Sequence, residues 1–133
     1  MIVADTNLLA YLLLPGAYTD LADKVWEKDD EWAAPVLWRS EFLNVLAGYI
    51  RKGLLTRSAA LDAFRRAEAV VGGREFPTDA EKVLQLVERS TCSAYDCEFV
   101  ALAEELGVAL VTSDTRVLAN FPKRAITPAD FTA

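Results

Sequence analysis

Two stretches decide the fold: Ile2-Val3-Ala4-Asp5-Thr6-Asn7 and Val108-Ala109-Leu110-Val111-Thr112-Ser113-Asp114. In each, a short unbroken apolar run reads as a buried strand, and each strand closes on an aspartate. Helical patterns fill the space between them. Thr6 or Asn7 opens a short helix that stops at Pro15-Gly16, a turn signal. Residues 19–29 follow as a helix with Leu21, Ala22, Val25 and Trp26 on one face. Trp32-Ala33-Ala34 is a weak strand ahead of Pro35. Residues 37–52 repeat Phe42, Val45, Leu46, Tyr49 and Ile50 at helical spacing, and Gly53 closes the pattern. A further helix over 57–71 opens at Thr56 and stops at Gly72-Gly73.

Arg74-Glu75-Phe76 reads as a short strand, and Thr78 or Asp79 caps a helix to about residue 89. A helix over 95–106 ends at Gly107, a strand covers 108–112, and a helical turn covers 115–120. Ala125-Ile126-Thr127 reads as a last edge strand. Strands that alternate with helices predict an α/β fold with a mostly parallel sheet between two helical layers. The 133 residues suffice for one domain, 1–133. In such sheets, sites lie beyond the carboxyl ends of the strands, the edge to which Asp5 and Asp114 belong.

Composition narrows the chemistry. There is no histidine, which removes Ser-His-Asp and Cys-His nucleophiles and most zinc sites. Cys92 and Cys97 match neither a zinc pair nor a redox CxxC, and read as structural thiols. The net charge of −6 argues against a passive nucleic-acid-binding module, whose affinity rests on phosphate contacts. It argues less against a nuclease, in which a bound cation reverses the local sign. Met1-Ile2-Val3-Ala4-Asp5 has no basic region, so no signal peptide is expected, and the apolar run over 8–14 is too short to span a bilayer. The expected location is the cytoplasm.

Two further carboxylates join Asp5 and Asp114. Glu41 sits in the first turn of its helix, with Val45 of the apolar stripe one turn on. Asp96 shares a helical face with Phe99, Val100 and Ala103. Each of the four has a bland explanation. Asp5 and Asp114 serve equally as helix caps, and a first-turn acid suits the helix dipole. Brought together, they would repel and raise at least one pKa, unless a cation neutralised them. An all-oxygen ligand set fits a hard divalent ion such as Mg²⁺.

The four segments, in order and spacing, resemble the motifs of PIN-domain nucleases. Val3-Ala4-Asp5-Thr6-Asn7 is similar to the family's opening motif, and Ser40-Glu41-Phe42-Leu43-Asn44-Val45 to its second. Tyr95-Asp96-Cys97-Glu98-Phe99-Val100-Ala101-Leu102-Ala103 is similar to the third, and Leu110-Val111-Thr112-Ser113-Asp114 to the fourth. The chain's size is similar to that of VapC-type toxins, the ribonuclease halves of toxin–antitoxin pairs.

The resemblance implies a three-layer α/β/α sandwich and an acidic pocket for Mg²⁺ or Mn²⁺. Asp5, Glu41, Asp96 and Asp114 are then the catalytic and metal-binding residues, supported by Thr6, Asn7, Thr112 and Ser113. It also implies RNA cleavage by metal-activated water, an antitoxin partner and a homodimer. Arg39, Arg116 and Lys123 lie near the motifs as possible phosphate contacts. The competing readings are a phosphoryl-handling domain, either receiver-like or with an Asp nucleophile, and a catalytically silent RNA- or protein-binding module. A receiver needs an acidic pair after the first strand, where Asp5 stands alone.

Overall fold

The computed structural model describes residues 1–133. Five short strands form one sheet in the order β3-β2-β1-β4-β5: β1 Ile2–Ala4, β2 Trp32–Pro35, β3 Glu75–Phe76, β4 Leu110–Val111 and β5 Ala125–Ile126. Every neighbouring pair is parallel. The central strands β1, β2 and β4 are buried along their whole length, which is why their sequences show no polar alternation. Helices are α1 Thr6–Leu13, α2 Thr19–Lys28, α3 Trp38–Arg51, α4 Arg57–Val71, α5 Ala80–Glu88, α6 Ala94–Leu106, α7 Thr115–Asn120 and α8 Pro128–Thr132.

The helices form two outer layers. In one, α6 lies across β1, β2 and β4 with α5 beside it. In the other, α1 joins α2, α3 and α4, with α4 resting on β2 and α8 against α2. A continuous apolar core runs through both layers. Trp38, Phe42 and Phe64 knit α3 to α4, with the Trp38 and Phe64 rings stacked at 5.4 Å. These aromatics are core, as the helical spacing suggested. No helix is long and apolar enough to cross a membrane.

Three elements differ from expectation. The cap of α1 is Asp5, not Thr6 or Asn7: its carboxylate accepts from Leu8 N, while Thr6 is already helical. β4 is shorter than 108–112, although ladder bonds from Val3 N to Ala109 O and from Thr112 N to Ile126 O continue it at both ends. The helix α8 was not expected. Its signal was Thr127-Pro128, a cap followed by proline in the first turn, and Thr127 Oγ1 accepts from Asp130 N at 3.0 Å.

The strand order positions the site. From β1 the chain steps outward through β2 and β3, then returns to the opposite side of β1 for β4 and β5. The reversal falls between β1 and β4, and the crevice at their carboxyl ends is the switch point where open parallel sheets bind ligands. The register Val3↔Leu110 and Ala4↔Val111 brings Asp5 level with Thr112.

The acidic cavity at the switch point

A cavity of about 480 Å³ opens at this crevice, and Asp5, Glu41, Asp96 and Asp114 all line it. Four different elements deliver them. Asp5 follows β1 and caps α1. Asp114 lies beyond β4 and caps α7, accepting from Val117 N at 2.9 Å. Glu41 stands in the first turn of α3, and Asp96 in the first turn of α6, where Ser93 is the cap. Capping an α-helix therefore does not take Asp5 or Asp114 out of the cavity. A cap bond fixes one carboxylate oxygen of Asp5 and of Asp114, and with it the orientation of the whole group.

Thr112 ties the two strand-end aspartates together. It is 1% exposed, donates its hydroxyl proton to Asp5 Oδ2 at 2.5 Å, and accepts from Asp114 N at 3.0 Å. Thr6 Oγ1 donates to Glu41 Oε1 at 2.8 Å, linking the first and second motifs. Asn7 also lines the cavity. Ser113 does not: it is exposed and outside the lining. On the extended segment after β4, adjacent residues alternate sides, and Thr112 takes the inward one.

The carboxylates are held at an electrostatic cost. Asp5 is pushed from the ordinary 3.8 to about 6, chiefly by loss of water. Thr112 and Leu8 N pull it down, and Asp114 and Glu41 push it up. Burial also raises Glu41, with Asp96 and Glu98 adding to the effect. Asp96 rises through burial and then Asp114. Each of the four therefore feels the charge of at least one other, or is felt by it. Repulsion was the expected cause of a raised pKa; desolvation is the larger one.

No three acidic, cysteine or histidine side chains are arranged to grip one ion directly. The donor set still suits a hard cation. It is all oxygen, oriented by hydroxyl and amide donors, and open to solvent, and Mg²⁺ retains several of its waters when bound.

Arg39, Arg116 and Lys123, the possible phosphate contacts, all lie outside the cavity lining. Arg39 is engaged in two ion pairs. Its Nε donates to Glu75 at 2.6 Å and its NH1 to Glu68 at 2.8 Å, clamping α3 to β3 and α4. Arg116 is outside the lining and donates to Thr91 O at 3.3 Å, although its charge lowers Asp96. Lys123 is exposed and also outside the lining. Sequence reasoning missed Ser40, Asn44 and Tyr95, which line the cavity. The signal for the first two was helical spacing: 37, 40, 41, 44 and 45 share one face of α3. Cys92 and Cys97 are free, buried thiols, as expected.

The same architecture recurs in known proteins. The chain is 29% identical over 127 residues to Ribonuclease VapC3 of Pyrobaculum aerophilum, covering 91% of this chain and 95% of that protein. The crystal structure of PAE2754 from Pyrobaculum aerophilum superposes with a TM-score of 0.76 at 25% identity, over 98% of this chain and 92% of that one. A toxin–antitoxin complex from Klebsiella pneumoniae gives 0.69 at 18% identity, over 96% of this chain and 98% of its own. The family model for the PIN domain matches residues 2–124. With that match over nearly its whole length, and its sheet and acidic crevice as described, the chain belongs to the PIN domain family.

Proposed function

We propose that residues 1–133 act as one domain, a divalent-cation-dependent endoribonuclease of the VapC type and the toxin half of a toxin–antitoxin pair in the cytoplasm. The observation that carries this reading is that four carboxylates from four elements line one solvent-open cavity. Likeness to Ribonuclease VapC3 supports RNA as the substrate.

In this reading Asp5, Asp96 and Asp114, with Glu41, hold Mg²⁺ or Mn²⁺. Bound there, the cation supplies Lewis acidity that activates water and offsets charge on the phosphate. The chain's own residues orient the ligands. Leu8 N and Thr112 fix the two oxygens of Asp5. Thr6 holds one oxygen of Glu41, leaving the other to take a proton from the attacking water. Water rather than the ribose 2′-hydroxyl is the nucleophile, so no cyclic phosphate forms; with the 3′-oxygen as leaving group the products carry 5′-phosphate and 3′-hydroxyl ends. The test is cleavage of a labelled RNA with Mg²⁺ or Mn²⁺ and mapping of the ends. Cleavage that survives EDTA, or leaves cyclic phosphates, would refute it.

Thr112 acts as a positioning residue for Asp5 and Asp114. Thr112→Val keeps the shape but leaves Asp5 Oδ2 and Asp114 N without their partner. The expected result is a roughly 10–100-fold fall in kcat/KM at neutral pH. The acid limb of the pH–rate profile should also move upward, because the bond to Thr112 lowers Asp5. Thr112→Ser should restore most of both. An unmoved limb would remove Thr112 from this role.

The raised Asp5 has a thermodynamic consequence. The folded chain holds this proton more tightly than the unfolded chain does. The stabilisation is therefore complete below 3.8 and is lost as pH rises through about 6. A cation binds the ionised form, so Mn²⁺ should raise Tm strongly at pH 7.5 and little at pH 5. Equal shifts at both pH values, followed by differential scanning fluorimetry, would speak against binding at these carboxylates.

We also propose a homodimer and an antitoxin partner. An apolar groove of about 350 Å³ between α3 and α4 supports the latter. Leu43 and Leu61 line it while more than half exposed, and Arg57 and Arg65 also line it. That combination suits an apolar segment flanked by acidic residues.

A further inference from the structure

None of the fifteen residues lining the acidic cavity is Lys or Arg. A nucleic-acid site ordinarily draws its affinity from cationic side chains on phosphates. Here the walls repel phosphate, and the chain as a whole carries −6. A cation among the carboxylates would engage the phosphate being cut and little beyond it. Within the cavity, further affinity has to come from uncharged contacts, and the bases offer them.

One side chain on the cavity wall is built for that. Tyr95 stands in the first turn of α6, next to Asp96, and is 62% exposed while lining the cavity. Tyr11 packs on Tyr18 at 4.9 Å, and Phe64 stacks on Trp38. Tyr95 has no such aromatic partner in the chain, and its hydroxyl makes no hydrogen bond there. Its backbone is nevertheless firmly set, because α6 buries Cys97, Phe99 and Val100 directly after it. From α3, Ser40 and Asn44 also line the cavity, both exposed. An Asn amide offers a donor and an acceptor together, as a base edge requires.

We infer that Tyr95 is a stacking platform for the base beside the scissile phosphate, with Asn44 available to that base's edge. This rests on the endoribonuclease reading and assigns a base-binding residue to its site. A paired base has both faces stacked within the duplex and has none to offer Tyr95. Stacking on an aromatic ring tolerates any base, so it supplies affinity without cationic side chains.

The test uses the full chain and a 12-nucleotide RNA carrying one 2-aminopurine, with Mn²⁺. Binding is read by quenching of the probe in the Asp5→Asn background, and turnover in the wild-type background. Tyr95→Ala should raise KM about tenfold or more, leave kcat within about twofold, and abolish the quench. Tyr95→Phe should retain both. The same RNA annealed to its complement should be cut far more slowly. An unchanged KM and quench in Tyr95→Ala would overturn the inference, as would a fall confined to kcat. The two readings fail separately. Cleavage without a Tyr95-dependent quench removes the platform alone, whereas a Tyr95-dependent quench without cleavage removes the nuclease and keeps the platform.

Discussion

Asp5→Asn abolishes cation-dependent RNA cleavage and, in the absence of cation, makes the protein more stable at neutral pH. Activity falls because Asp5 is the only one of the four whose oxygens are fixed both by a helix N–H and by Thr112. A misdirected ligand costs on the order of 100-fold or more, since even the loss of an outer partner typically costs 10–100-fold. Stability rises because the charge at this position is held against a desolvation penalty. Raising a carboxyl from 3.8 to about 6 corresponds to roughly 3 kcal/mol at neutral pH. Asparagine removes the charge and keeps an acceptor for Leu8 N, but it deprives Thr112 of its acceptor. The net gain should therefore be smaller, about 1–2 kcal/mol. Denaturant unfolding with EDTA at pH 7.5 reads the stability, and single-turnover cleavage reads the activity. A variant that is inactive and also destabilised would mean that Asp5 is chiefly a cap of α1.

Trp38→Ala should destabilise the fold by about 3–5 kcal/mol, a drop in Tm of roughly 10–15 °C. Trp38 is fully buried. Its ring lies against Phe64 at 5.4 Å and Phe42 at 6.2 Å, and its Nε1 donates to Glu75 at 2.5 Å. Arg39 sits over the ring at 5.2 Å and shares the same Glu75 oxygen. Removing the indole therefore opens a cavity where α3, α4 and β3 meet. Glu41 lies three residues on in α3, so cation-induced stabilisation should weaken along with the fold. Thermal unfolding measures the first effect and Mn²⁺ titration the second. A loss below about 1 kcal/mol would show that α3 is held by other contacts.

The sequence made the α/β alternation readable because each central strand is apolar on both faces and most of the helices are bounded by a glycine or a side-chain cap. Gly72 illustrates this. Its φ of +51° ends α4, and an added Cβ would stand 3.0 Å from Ala69 O. Asp5 and Asp114 were readable from their strand ends, and Glu41 and Asp96 only from the resemblance of their segments to the family's motifs. Their hydrogen-bond partners were not, because Thr112 reaches Asp5 across 107 positions and Thr6 reaches Glu41 across 35. Such pairings depend on the β1–β4 register and on how α1 meets α3. The ion pairs of Arg39 were hidden for the same reason: its partners Glu68 and Glu75 are distant in the chain and adjacent only in the fold. Tyr95 looked like part of a motif, and only its exposure on the cavity wall distinguishes it from the buried aromatics.

The central claim is that Asp5, Glu41, Asp96 and Asp114 form one divalent-cation centre. Crystals grown with Mn²⁺ and measured near the manganese absorption edge test it most directly. The account predicts an anomalous peak in the crevice between β1 and β4, within coordination distance of Asp5 and at least one of Asp96 and Asp114. No peak there at saturating Mn²⁺ and pH above 7, or a peak held by other residues, would contradict it.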